Sequence, residues 1–98
     1  MNVVFDDDAR AEVRDALAYY SELKSELAQD FIVSLDRALM LITDRPLAWP
    51  PVGLRLRRCL LAKFPYQIVY RVEGDTIRIY AFAHVKRRPG YWNKRLAR

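Results

Sequence analysis

Cysteine is almost missing from this 98-residue chain. Cys59 stands alone, so no internal disulfide can form and no cysteine metal cluster exists. Glycine occurs only three times, and no Gly-rich phosphate loop, metal-ligand spacing or GxSxG elbow is present. No metal and no cofactor are expected. No apolar run approaches the length that spans a bilayer, and the opening MNVVFDDD lacks a charged n-region and a cleavage-site pattern. The expectation is a protein neither secreted nor membrane-inserted, working in the cytoplasm. Histidine occurs once, as His84. Acids are scarce in the second half, where Glu73 and Asp75 stand alone against twelve Lys/Arg.

What is present describes one small folded domain, residues 1–98, with 52% hydrophobic residues. The net charge of +5 is unevenly spread: residues 1–50 carry −5 and residues 51–98 carry +10. A strongly basic half attracts polyanions or acidic protein segments and steers them toward it. Nucleic acid and an acidic protein partner are the two classes it suggests.

No internal repeat or linker interrupts the chain. Val3, Val4 and Phe5 suit a first strand, and Asp6, Asp7 and Asp8 supply N-cap candidates and negative charge for a helix start. Ala9, Val13, Ala16, Leu17 and Tyr20 recur on one helical face, and Leu27, Phe31, Leu35, Leu39 and Ile42 repeat the pattern. Ser25 is the expected cap of this second helix, and Pro46 opens the rigid loop PLAWPPVG that ends it. With so few residues between them, the helices should form an antiparallel hairpin. Three strand patterns follow. Leu54, Leu56 and Leu60 alternate with Arg55, Arg57 and Cys59, then Tyr66–Val72 and Ile77–Ala83 alternate on either side of an EGDT turn. Pairing Val72 with Ile77 brings Tyr70 to Ile79 and Ile68 to Ala81. The other face then reads Arg71 against Arg78, Val69 against Tyr80 and Gln67 against Phe82. Like charges across a strand pair are mildly unfavourable, so the two guanidiniums either splay into water or hold an anion. The order is β-α-α-β-β-β, an α+β fold. Its helical hairpin packs on a mainly antiparallel twisted sheet, with a short C-terminal tail or helix.

The stretch AFAHVKRRPGYWNKR, Ala81–Arg95, gathers His84, Tyr91, Trp92 and five cations. A metal-free ribonuclease could use such groups, with arginine or lysine stabilising the phosphorane and a His or Tyr moving protons. The plainer reading of His84 is a strand-end imidazole bonded to nearby backbone. Tyr91 and Trp92 read most simply as a clip folding the tail onto the sheet. The tail cations read as a contact surface.

LAKFPYQIVYRVEGDTIRIYAFAHVKRRPGYW resembles the second half of a RelE/ParE-superfamily toxin of bacterial type II toxin–antitoxin systems. ALAYYSEL and FIVSLDRALMLITDRPLAWPPVG resemble the helical hairpin and Pro-rich loop of the ParE-like members. The resemblance implies a toxin of plasmid-stabilisation type that inhibits growth until a cognate antitoxin neutralises it. ParE-like members bind DNA gyrase without chemistry of their own, whereas RelE-like members cut mRNA on the ribosome. The helical hairpin here is acidic, which opposes docking on ribosomal RNA and favours the gyrase-inhibitor reading. An inactive antitoxin-binding relative is the third reading. On the gyrase reading the target-binding set is Arg71, Arg78, Lys86, Arg87, Arg88, Tyr91, Trp92, Lys94 and Arg95. On the ribonuclease reading Arg58, Lys63, Arg71, His84, Arg87 and Tyr91 would fill the catalytic positions.

Overall fold

A computed structural model describes residues 1–97. Its elements are β1 (Asn2–Phe5), α1 (Asp7–Leu23), α2 (Ser25–Asp44), β2 (Arg57–Leu60), β3 (Tyr66–Glu73), β4 (Thr76–His84) and a 3-10 helix (Asn93–Ala97). This is the expected β-α-α-β-β-β order, closed by a short C-terminal helical turn. The strands form one sheet in the order β1-β4-β3-β2. β1 runs parallel to β4, and the remaining pairs are antiparallel.

Local chemistry sets the helix ends. Asp6 caps α1 by accepting from the Asp8 amide at 3.0 Å, and Asp7 and Asp8 place negative charge in the first turn. Ser25 does not cap α2. A single extended residue, Lys24, separates the helices and makes no side-chain cap bond, so Ser25 is already helical. That one-residue link turns α2 back along α1.

The sheet is buried on both faces. On the helix side lie Ala9, Ala16, Phe31, Ala38 and Ile42 from the hairpin, against Cys59, Ile68, Tyr70, Ile77, Ile79 and Phe82. On the other side Leu56, Val69, Tyr80, Ala81 and Ala83 pack under Trp92. This second layer explains two departures from simple alternation. In β2 it is Cys59 that faces the helices, while Leu54 and Leu60 are more than half exposed and Leu56 enters the second layer. Left-handed backbone at Gly53, Leu54 and Arg55 turns the chain before the strand begins, so Leu54–Arg55 never join the ladder. When both faces of a strand bury apolar groups, parity cannot tell which face meets the helices.

The second departure lies in the β3–β4 register. Val72↔Ile77, Arg71↔Arg78 and Tyr70↔Ile79 pair as the sequence suggests, but the ladder then shifts to Val69↔Ala81 and Ile68↔Phe82. Tyr80 is the extra residue of a β-bulge. Beyond it Phe82 and His84 move to the helix side, where Tyr66 stacks on Phe82 at 4.8 Å and meets the His84 ring edge-on at 5.3 Å. The expected pairs Ile68–Ala81, Val69–Tyr80 and Gln67–Phe82 do not form, because one inserted residue reverses every later side chain.

Candidate interaction surface and its buried anchor

β1 covers β4 only from Thr76 to Ile79, so the β4 edge beyond Ile79 needs other partners. Glu12 of α1 and Arg95 of the C-terminal turn supply them. The Phe82 amide donates to Glu12 Oε1 at 3.0 Å, and Arg95 Nη1 donates to the Tyr80 carbonyl at 2.9 Å. Arg95 also grips the Glu12 carboxylate through Nη1 at 2.8 Å and Nη2 at 3.1 Å. The Tyr91 hydroxyl donates to Glu12 Oε2, and Arg87 Nη1 reaches the same oxygen at 3.3 Å. The Arg87 guanidinium lies 3.7 Å from the centre of the Tyr91 ring. A paired, hydrogen-bonded carboxylate tolerates this burial where an unpaired one would not. Burial and the Glu12 bond push the Tyr91 phenol well above its ordinary range. It therefore holds its proton and stands as a donor to Glu12.

A second carboxylate organises the face of the sheet that points away from the helices. Arg71 Nη2 lies 2.7 Å from Glu73 Oε2, Arg78 Nε lies 3.1 Å from Oε1, and the Tyr80 hydroxyl donates to Oε2 at 2.7 Å. Arg71 and Arg78 thus neither splay into water nor await an outside anion; Glu73 occupies the space between them. The Tyr80 hydrogen bond, followed by those from Arg71 and Arg78, lowers the Glu73 pKa to about 2.

The structure divides the expected target-binding residues into two groups. Trp92 and Arg95 are 1% and 7% exposed, so neither can meet a partner in this conformation. Burial of the Trp92 ring under the sheet and the engagement of Arg95 by Glu12 correct their assignment to the contact set. Tyr91 is half-buried and serves the same anchor. Lys86, Arg88 and Lys94 are exposed and form no ion pair among the described residues. Arg87 is half-exposed above the anchor, and Arg71 and Arg78 remain partly open beside Glu73.

Of the groups named for phosphodiester cleavage, Arg87 and Tyr91 meet on Glu12, and the others have partners or places of their own. Arg58 reaches Gln67 Oε1 at 3.4 Å, Arg71 is held by Glu73, and Lys63 sits in the β2–β3 loop with φ 71°. His84 Nδ1 accepts from the Lys86 amide at 3.1 Å. No hydrogen bond joins His84 to Tyr91 among the described residues.

Glu12 and Glu73 are the organising residues that sequence reasoning passed over. Glu12 reads as one more acid of a charged helix, yet it lies three residues after Ala9 and four before Ala16, on the buried stripe itself. A carboxylate at such a position signals an internal partner. Glu73 reads as a turn residue, and only the strand register shows that two arginines converge on it.

These features define a small α+β domain with a charge-anchored C-terminal segment and a basic outer face. The family model "ParE toxin of type II toxin-antitoxin system, parDE" matches residues 3–89, and the chain belongs to that family. A chain of the solved structure "Chromosomal ParDE TA system from P. aeruginosa" has the same fold, with a TM-score of 0.67 at 19% identity. The match covers 86% of this chain and 95% of that one. No curated protein matches this sequence. The chain is a type II toxin, and no helix among the described residues is long and apolar enough to cross a membrane.

Proposed function

We propose that this toxin acts in the cytoplasm by binding DNA gyrase, and that a cognate antitoxin encoded beside it neutralises it. The whole chain works as a single domain on this reading. The observation that carries it is the split within the C-terminal segment. Tyr91 and Arg95 are spent on Glu12, while Lys86, Arg88 and Lys94 point outward without internal partners. Such a segment presents charge on a fixed support, which suits docking and electrostatic steering. The chemistry of cleavage lacks support by comparison, since the phenol is held as a donor and the imidazole is engaged elsewhere. The acidic exposed residues of α1 and α2, among them Asp15, Glu22, Asp30 and Asp36, further oppose a ribosomal RNA surface.

Purified toxin should inhibit gyrase supercoiling while leaving ribosome-bound mRNA intact. Its induction should cause filamentation and DNA-damage signalling while translation continues, and co-expression of the neighbouring antitoxin should restore growth. Codon-dependent cuts in mRNA on the ribosome would replace this reading with the ribonuclease one.

A further inference from the structure

The outward face of α2 is apolar where a solvent-facing helix is ordinarily polar. Met40 is 72% exposed and Val33 63%, and Ile32 and Leu41 are exposed beside them. Phe31, Ala38 and Ile42 of the same helix already supply the contact with the sheet. A shallow groove runs along the outer face, with Val33, Asp36, Arg37, Met40 and Leu41 among its lining residues. Single exposed apolar side chains need no explanation, but four gathered on one helix face mark a contact surface.

The charges on this face are arranged about its middle. Val33 and Met40, two helical turns apart, lie on its centre line. Asp36 and Arg37 sit between them along the axis, on opposite sides of that line and about 50° from it. Both are exposed, and neither forms an ion pair among the described residues. As sequence neighbours on a helix they point too far apart to pair with each other. We infer that this face pairs with the same face of a second copy of the chain, the two α2 helices lying side by side in the same direction about a two-fold axis.

In that arrangement each centre-line residue meets its own counterpart, and the two flanks exchange sides. Met40 packs on Met40 and Val33 on Val33, while Asp36 of each copy faces Arg37 of the other. Antiparallel helices would keep each flank on its own side, setting Asp36 against Asp36 and Arg37 against Arg37. Charge therefore selects the parallel pair. The same balance selects the occupant. An acidic segment would meet like charge at Asp36 and a basic one at Arg37, whereas a second copy matches both at once. One helix face is a small interface, so association is weak and reversible. The pairing uses no residue of the C-terminal cationic segment and stands apart from the gyrase reading.

The test is sedimentation equilibrium of the purified full chain from micromolar to millimolar concentration, with circular dichroism to confirm that each variant is folded. A monomer–dimer equilibrium is expected. Met40→Glu sets two carboxylates against each other on the centre line and should weaken the dimer about ten-fold or more. Asp36→Arg and Arg37→Glu, made singly, each oppose like charges and should weaken it by about the same factor. Made together they exchange the two signs and restore both pairs, so affinity should return to within about three-fold of the original. A chain that stays monomeric at millimolar concentration, or a dimer insensitive to Met40→Glu, would overturn the inference. So would a double variant that dimerises no better than either single one. A monomer whose Met40 methyl resonance shifts only when the antitoxin is added would also overturn it, since the face would then belong to that partner. The gyrase reading is judged by supercoiling, so either can fail while the other stands.

Discussion

Glu12 receives donors from Arg95, Tyr91, Arg87 and the Phe82 amide, so its removal leaves the buried Arg95 guanidinium with the more distant Asp8 carboxylate, 3.7 Å from its Nε. Glu12→Ala should destabilise the fold by about 3–5 kcal/mol, the usual cost of breaking a buried pair from one side. Glu12→Gln keeps an acceptor and the shape, and should cost less. Urea denaturation of the two variants checks the ranking, and equal costs would show that Arg95 finds another partner. Glu73 yields a prediction in pH. Its pKa falls from 4.5 to about 2 on folding, so its contribution is complete above the unfolded value and is lost as pH falls toward 2. Allowing for its partial exposure, that contribution is on the order of 2 kcal/mol. Glu73→Gln should therefore flatten the loss of stability between those two pH values. An unchanged acid profile would mean that the Arg71–Glu73–Arg78 cluster is not held in solution.

At the scale of elements, the helices were legible because their burial is one-sided. Every third or fourth position from Ala9 to Ile42 faces one sheet, so period alone locates α1 and α2. The strands were only half legible. Their existence and order follow from alternation, but the second apolar layer made Leu56, Ala81 and Ala83 look like core on the helix side. The Tyr80 bulge has no sequence signature at all, since it is marked by neither glycine nor proline and is set by long-range packing. The candidate surface divides in the same way. The cationic segment was visible as composition, whereas the Glu12 anchor joins residues some eighty positions apart, beyond the reach of any local pattern. The segment's two roles should separate on mutation. Trp92→Ala empties a site that is 1% exposed, and should cost about 3–5 kcal/mol. Arg88→Ala lies in solvent and should change stability by less than about 0.5 kcal/mol while lowering toxicity. Thermal unfolding beside a growth assay reads both quantities, and full toxicity of a folded Arg88→Ala protein would remove Arg88 from the contact surface.

The molecule as a whole is electrically two-sided. Residues 1–50 carry −5 and form the helical hairpin, while residues 51–98 carry +10 and form most of the sheet and the tail. Internal pairing through Glu12 and Glu73 neutralises only part of the basic half, so a directed field remains. Such a field raises association rates and is screened within about 10 Å at 0.1 M salt. If docking is the mode of action, target binding should weaken with added salt. Reversing Lys86, Arg88 and Lys94 together to Glu should weaken it about ten-fold or more, chiefly through slower association. His84→Ala should then leave gyrase inhibition near the wild-type level, because the imidazole contributes ring packing on Tyr66 and a local bond to the Lys86 amide. Tyr91→Phe removes one hydrogen bond to a charged group and should cost about 1.5–3 kcal/mol of stability, yet spare inhibition at temperatures where the protein stays folded. The comparison that decides is folded His84→Ala against the folded triple reversal in one supercoiling assay. Docking by charge predicts that the first stays active and the second does not. The opposite result would place the action of this toxin on its imidazole and not on its cationic face.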